Sequence, residues 1–332
     1  PEMKTHFVEF MQKMLDNQHA ELAPPRSKDK EAWYLPIFGV YHPQKPGKIR
    51  VVFDSSAQFN GVSLNDILLS GPDLNNTLLG VLLRFRKEPV AITADIEQMF
   101  YCFVVQEDHR DYLRFLWYED NDLTKAVVDY QMRVHVFGNS PSPAVAIYGL
   151  RMAAREAESE YGTDARNFIE QDFYVDDALK SFPTEAEAID VLQRAQKMLA
   201  LSNLRLHKIA SNKVQVVNAF PPEDRAKDIK DLDLTTDEIP VQRSLGVSWN
   251  PTSDTFTFHV PQEQKPYTRR GVLSTINSLF DPLGLLAPVT IKGRLLLREL
   301  SSSNLEWDSS LPQDMYDNWR RWRDSLQSLT SL

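Results

Sequence analysis

Tyr174-Val175-Asp176-Asp177 sets two adjacent carboxylates at the end of an apolar run, Phe168-Ile169 and then Phe173-Tyr174-Val175. The chain returns through Ala178-Leu179-Lys180-Ser181-Phe182, which predicts a tight hairpin with both acids near its turn. Carboxylates held that close repel each other unless a cation lies between them. A hard divalent ion such as Mg²⁺ takes few protein carboxylates and leaves room for substrate phosphates. An Asp-Asp pair is also an ordinary solvated turn.

Asp95 is the best partner for this pair. It lies near the end of Val90 to Ile96, a short, nearly all-apolar stretch that suits a strand buried on both faces. An acid there is costly unless a cation or hydrogen bonds satisfy it. Three carboxylates from two neighbouring strand ends can bind two Mg²⁺ ions about 3.5–4 Å apart, the arrangement used for in-line displacement at phosphorus. Asp95 could equally cap the turn after its strand. Gly138-Asn139-Ser140-Pro141-Ser142-Pro143 follows a strand and opens a helix. A flexible glycine and exposed N–H groups there suit a phosphate or nucleotide, or make a simple strand-to-helix loop. Arg50 and Lys48, after a Pro-Gly turn, can reach a triphosphate, the arginine with bidentate contacts and the lysine as a point charge.

Several elements must position these residues. Phe7, Phe10, Met11, Met14 and Leu15 recur at helical spacing and predict an amphipathic helix over residues 1–18. Ala32 to Tyr41 and Lys48 to Phe53 read as strands about the turn at His42 to Gly47, and residues 73–87 as a helix. Tyr112 to Tyr118 and Val127 to Val136 form a second hairpin, and Pro143 to Tyr161 a helix. Thr184, with Glu187 three residues on, is a capping box for the next helix. Arg243 to Val260 predicts a hairpin turning at Asn250 to Asp254, followed by helices such as Val289 to Leu300. An acidic, Pro-bearing composition shift at residues 221–240 marks the boundary between units 1–220 and 221–332.

Bulk properties narrow the classes. Of 332 residues, 42% are hydrophobic and 25% charged, as in ordinary globular proteins. A net charge of −9 argues against coating nucleic acid by bulk charge, though not against a local basic groove. The one cysteine, Cys102, excludes an internal disulfide and a cysteine-based zinc site, and fits a small buried group in a reducing compartment. No apolar run is long enough to span a bilayer, so no membrane association is expected. The first residue is Pro1, not Met, which predicts a piece of a longer chain.

The order and spacing of several blocks carry a resemblance. They are Val40-Tyr41-His42-Pro43 through Lys48-Ile49-Arg50-Val51-Val52-Phe53-Asp54, then Ser63-Leu64-Asn65-Asp66 with Gly71-Pro72-Asp73-Leu74. Ala94-Asp95-Ile96-Glu97-Gln98-Met99-Phe100 looks like polymerase motif A, Phe137-Gly138 with Ser142-Pro143 like motif B, and Phe173 to Asp177 like motif C. Leu245-Gly246-Val247-Ser248-Trp249-Asn250-Pro251 is similar to a primer grip, and Phe280-Asp281-Pro282-Leu283-Gly284-Leu285-Leu286 to a stretch found after the thumb. Over nearly its whole length the chain resembles the reverse transcriptases of BEL/Pao-type LTR retrotransposons.

That resemblance implies an α+β right hand of fingers, palm and thumb, with an antiparallel palm sheet packed on helices. It implies an RNA-directed DNA polymerase that adds dNTPs to a primer 3′-hydroxyl on an RNA or DNA template, using two Mg²⁺ ions or Mn²⁺. Asp95, Asp176 and Asp177 would be the metal-binding triad, with the Ile96 carbonyl as a further ligand. Lys48 and Arg50 would contact the triphosphate, Phe100 would be the steric gate against a ribose 2′-hydroxyl, and Gly138 would lie under the nucleotide. Either Lys208 or its rival Lys213 would be the general acid for pyrophosphate, and the spacing does not decide between them. Leu245, Gly246 and Trp249 would grip the primer. Motif B departs from the pattern by an extra proline, and Phe137 stands where some relatives carry a polar residue. The chain is read as stopping before RNase H and integrase domains of the same polyprotein. Its expected place is the cytoplasm, within virus-like particles. The alternative is an inactive or host-captured remnant that binds nucleic acid or protein.

Overall fold

The computed structural model describes residues 2–26, 29–42, 45–227, 242–244, 247–258, 260, 265–301 and 306–331. The chain divides into two compact units that interleave in sequence. The first is Pro1–Asn75, Ile96–Glu170 and Arg194–Arg205; the second is Asn76–Asp95, Gln171–Gln193 and Leu206–Leu332. Residues 228–241, which hold most of the expected boundary segment, lie outside the described residues.

In the first unit the helix Glu2–Asp16 buries Met11 and Met14 on its apolar stripe. They join a core with Phe53, Leu64, Phe115 and Met132. The predicted hairpin is there as Arg114–Tyr118 and Val127–Met132, extended on its other side by Ala20–Leu22 into a three-stranded antiparallel sheet. Ile37–His42 and Lys45–Phe53 pair antiparallel as a separate ribbon. The helix expected from Pro143 to Tyr161 runs as Ser142–Glu156, and a separate short helix, Glu158–Tyr161, follows.

A four-stranded sheet organises the second unit, in the order Phe173–Tyr174, Asp177–Phe182, Val90–Ile96, Leu206–Ser211. Six of the seven residues of Val90–Ile96 are buried, all but Asp95. That is the burial expected of an apolar strand at the centre of a sheet. The helix Leu78–Phe85 packs Val81, Leu82 and Phe85 against Ala91 and Leu179 of the sheet. It is shorter than its sequence pattern, because the Thr77 side chain accepts the Gly80 N–H and caps it there. The Glu187 N–H donates to the Thr184 hydroxyl at 3.2 Å, as the capping pattern requires. Asn250 turns the hairpin between Val247–Asn250 and Thr255–Thr257 by accepting from the Thr252 and Ser253 N–H groups. Farther on, the helices Arg269–Asn277, Ala287–Ser301 and Tyr316–Ser325 enclose a core of Val272, Ile276, Leu300, Trp319 and Trp322. Gly293 permits that packing, since a Cβ there would sit 2.4 Å from the Trp322 ring. Among the described residues no helix is long and apolar enough to cross a membrane.

Candidate functional site

Strand register brings Asp95 to Asp177. Val90–Ile96 and Asp177–Phe182 pair antiparallel with Ala94 opposite Ala178 and Asp95 opposite Asp177. Residues opposite one another in an antiparallel pair share a face, so these two carboxylates project to the same side. Tyr174 pairs with Asp177, which leaves Val175 and Asp176 as a two-residue turn. Val175 occupies its first position at φ +59°. Two-residue hairpin turns place positive φ there and normally use glycine, so a β-branched residue holds the turn under strain. Strained positions of this kind cluster at functional sites.

The electrostatics follow from the geometry. Burial pushes the Asp176 carboxyl above its ordinary value, and the nearby Asp95 carboxylate pushes it further; its own backbone N–H and the Lys208 charge only partly oppose them. Asp95 moves the other way. Burial acts to raise it, but hydrogen bonds from His207 and Lys208 outweigh burial and hold it below the usual carboxylate value. His207 Nε2 lies 3.2 Å from Asp95 Oδ1, and Lys208 Nζ donates to Asp95 Oδ2 at 2.7 Å. Both come from the strand Leu206–Ser211, and Lys208 has φ +53°. Asp95 is therefore turned toward two cationic or hydrogen-bonding groups. Among the described residues no three His, Cys, Asp or Glu side chains already converge as a metal cage.

Lys208, a candidate proton donor from sequence, has its ammonium ion-paired with Asp95. His207 had not been singled out. The available signal was its position, immediately before Lys208 in Leu206-His207-Lys208-Ile209-Ala210, where a polar pair interrupts a strand-like run. Lys213, the rival, stands at the N-terminal boundary of the short helix Val214–Asn218 with no side-chain capping bond. Ile96 is fully buried at the end of its strand.

The groups read as nucleotide contacts belong to the first unit and have their own geometry. Gly138 adopts φ +106°, a conformation that needs glycine. Asn65 ties down the loop it opens: Asn65 Nδ2 donates to the Gly138 carbonyl at 2.9 Å, and Asn65 Oδ1 accepts the Ser140 N–H at 2.8 Å. The Ser55 hydroxyl donates to the Asn139 side-chain carbonyl. Phe100 packs edge-on against Phe137, centroids 5.7 Å apart and planes at 70°. The Arg50 guanidinium lies over the Phe137 ring, 4.2 Å from its centroid. The Lys48 side chain lies outside the described residues.

The primer-grip expectation changes. Leu245 and Gly246 lie outside the described residues. The Trp249 indole is only 3% exposed, packs edge-on against Phe85 and donates to Asp254 Oδ1. An indole held that deep is a core group and cannot itself touch a primer. Trp319 and Trp322 are buried, whereas Trp307 is exposed with Arg269 over its ring. Cys102 is partly buried and its thiol is pushed up by burial, away from nucleophile chemistry.

Residues 268–332 match the family model described as Pao retrotransposon-like RNaseH-like domain. This revises the expectation that the chain ends before any RNase H-type domain: such a model matches its last stretch, including Phe280 to Leu286. Asp95, Asp176 and Asp177 lie outside the match. No curated protein matches the chain. Among solved structures it is similar to the foamy viral protease-reverse transcriptase dRH in complex with double-stranded DNA, with TM-score 0.65 and 16% identity over 98% of this chain and 48% of that one. It is also similar to the foamy viral protease-reverse transcriptase with an RNA/DNA hybrid, with TM-score 0.60 and 14% identity over 98% of this chain and 37% of that one. The chain thus spans about half the length of these proteins or less. It shares their mixed α/β fold, and its C-terminal stretch is similar to a retrotransposon-type domain.

Proposed function

We propose that this chain is the RNA-directed DNA polymerase core of a BEL/Pao-type retroelement, a hand of fingers, palm and thumb. The observation that carries the proposal is the register that sets Asp95 opposite Asp177, one residue from Asp176. The raised Asp176 carboxyl supports it, because two acids compete there for too little positive charge. The foamy viral proteins of similar fold were solved with double-stranded DNA and with an RNA/DNA hybrid, which supports a template–primer duplex as the partner.

The donor set fits Mg²⁺ or Mn²⁺, being hard carboxylate oxygens from Asp95, Asp176 and Asp177 with the Ile96 carbonyl. The chemistry such ions supply when bound is acidification of the primer 3′-hydroxyl and neutralisation of the triphosphate. The chain's own residues do the rest. His207 orients Asp95 through its ring nitrogen. Lys208, at the carboxylate edge, exchanges Asp95 for a phosphate oxygen and gives a proton to the leaving pyrophosphate. Arg50 and Lys48 grip the triphosphate, the Phe100 ring excludes a ribose 2′-hydroxyl, and the Gly138 backbone admits the nucleotide closely. The test is extension of a DNA primer on an RNA template with dNTPs and Mg²⁺ or Mn²⁺. Metal-dependent extension is expected. A folded chain that binds the duplex and never extends it would be a remnant instead.

A further inference from the structure

Phe137 is a large apolar side chain left 55% exposed beside the Gly138 loop. Arg50 reaches it from the strand Lys45–Phe53 and lies flat over its ring. Among the described residues Arg50 is exposed and forms no ion pair, although the unit holding it has many carboxylates. An exposed arginine with no carboxylate would ordinarily sample many rotamers. Here one face of the guanidinium is fixed by an aromatic face, while its N–H edges stay free for a bidentate anion. The ring is itself fixed. Phe100 braces it edge-on, and Asn65 holds the backbone that follows, at the Gly138 carbonyl and the Ser140 N–H.

We propose that Phe137 is a positioning residue, which presents the Arg50 guanidinium edge to the triphosphate of an incoming nucleotide by holding its face. The inference rests on the polymerase reading for the identity of the substrate, though not for the existence of the anion grip. An apolar ring has no hydrogen bond to offer a base, so the grip is indifferent to which of the four nucleotides carries the triphosphate. It recognises phosphate through one oriented cation, and the orientation comes from a residue that itself makes no phosphate contact.

The experiment is calorimetric titration of the 332-residue chain with dTTP and, separately, with inorganic tripolyphosphate. Phe137→Leu removes the π face and keeps the bulk. It should weaken both probes about 3–10-fold, a loss in the range of one cation–π contact plus the freed rotamers. Phe137→Trp should bind as the wild type does. In an Arg50→Ala background, Phe137→Leu should cost nothing further, because the ring acts only through Arg50. Wild-type affinity in Phe137→Leu, a full additional loss in the Arg50→Ala background, or no binding of either probe by the wild type would each overturn the proposal. Primer extension is read in parallel. If Arg50 and Phe137 are coupled in binding and extension is absent, the polymerase reading fails and the grip stands; extension with uncoupled residues is the reverse.

Discussion

Two acidic sites share one sheet in the second unit and are built on opposite principles. Asp172, just before the strand Phe173–Tyr174, is 1% exposed, and each of its carboxylate oxygens has its own cation. Arg84 Nε lies 2.9 Å from Oδ1 and Lys180 Nζ 2.6 Å from Oδ2. The charge is buried and fully answered, as a structural ion pair must be. At the other end of Asp177–Phe182, Asp95 lies opposite Asp177, Asp176 sits in the adjoining turn, and Asp95 is answered by Lys208 with His207 alongside. There Asp176 is pushed up by burial and by its neighbour. One site uses its side chains to hold the strands together; the other keeps the raised Asp176 carboxyl on a strained turn. Neutralising Asp176 is thus expected to raise stability and abolish function, whereas neutralising Asp172 should lower stability and spare function.

The largest expected effect separates them by activity. Asp95→Asn and Asp176→Asn should each lower metal-dependent primer extension by at least about 10³-fold, several kcal/mol of barrier, while circular dichroism stays that of the wild type. Asp172→Asn, assayed at a temperature where it is folded, should extend primers nearly normally. If Asp172→Asn were as dead as the other two while remaining folded, the two acidic sites would no longer be distinct in kind.

Next comes stability. Asp172→Ala removes the one anion between Arg84 and Lys180, and should cost about 2–3 kcal/mol in urea unfolding, toward the low end for a broken buried pair because both cations keep some access to water. A loss below about 0.5 kcal/mol would put Asp172 among ordinary surface pairs.

Asp176→Asn should act with the other sign. A carboxyl raised on folding is unfavourable when ionised, so its penalty is absent at low pH, where both states are protonated, and is complete above the raised value. Without metal, Asp176→Asn should therefore raise the melting temperature by about 2 °C at neutral pH, and the gain should vanish below about pH 4, the ordinary aspartate range. Asp95 has the depressed value, so its ion pair contributes stability at neutral pH that is lost as pH falls. A lower melting temperature for Asp176→Asn at pH 7 would mean that the acids do not repel.

Legibility in the sequence tracked the range of the interaction. The apolar run with one acid, Val90 to Ile96, foretold a buried central strand, and Thr184 with Glu187 foretold a helix start. Three acids at strand ends suggest a common face for Asp95, Asp176 and Asp177, and the strand register sets Asp95 opposite Asp177 with Asp176 in the adjoining turn. What stayed hidden depends on contacts distant in sequence. The strand Leu206–Ser211 was not foreseen, because the positive φ of Lys208 disrupts its alternation, and His207 was missed with it. The cap at Thr77 shortened a helix whose apolar period suggested a longer one. Trp249 was assigned to the primer by analogy of motif, whereas Phe85 and Asp254 take up its ring and its N–H. Asn65 reads in sequence as one polar residue among many, yet it fixes the Gly138 loop from 73 residues away.

Val175 gives the smallest effect and the sharpest contrast with Asp172. Its φ of +59° is unfavourable for a β-branched side chain and easy for glycine. Val175→Gly relieves about 1–2 kcal/mol of left-handed strain, and glycine's extra freedom when unfolded takes back about 0.5–1 kcal/mol. The net is a small stabilisation, about 0.5–1 kcal/mol, readable as a higher urea midpoint at unchanged slope. Relief of strain should also loosen the turn that carries Asp176, so the same variant should extend primers more slowly than the wild type. A residue kept at a cost to stability makes sense where the turn must hold a carboxylate in place, and no comparable strain exists at Asp172, whose backbone is not in the left-handed region. If Val175→Gly were both less stable and equally active, the strain would be incidental, and the turn would be held by its neighbours rather than by its own geometry.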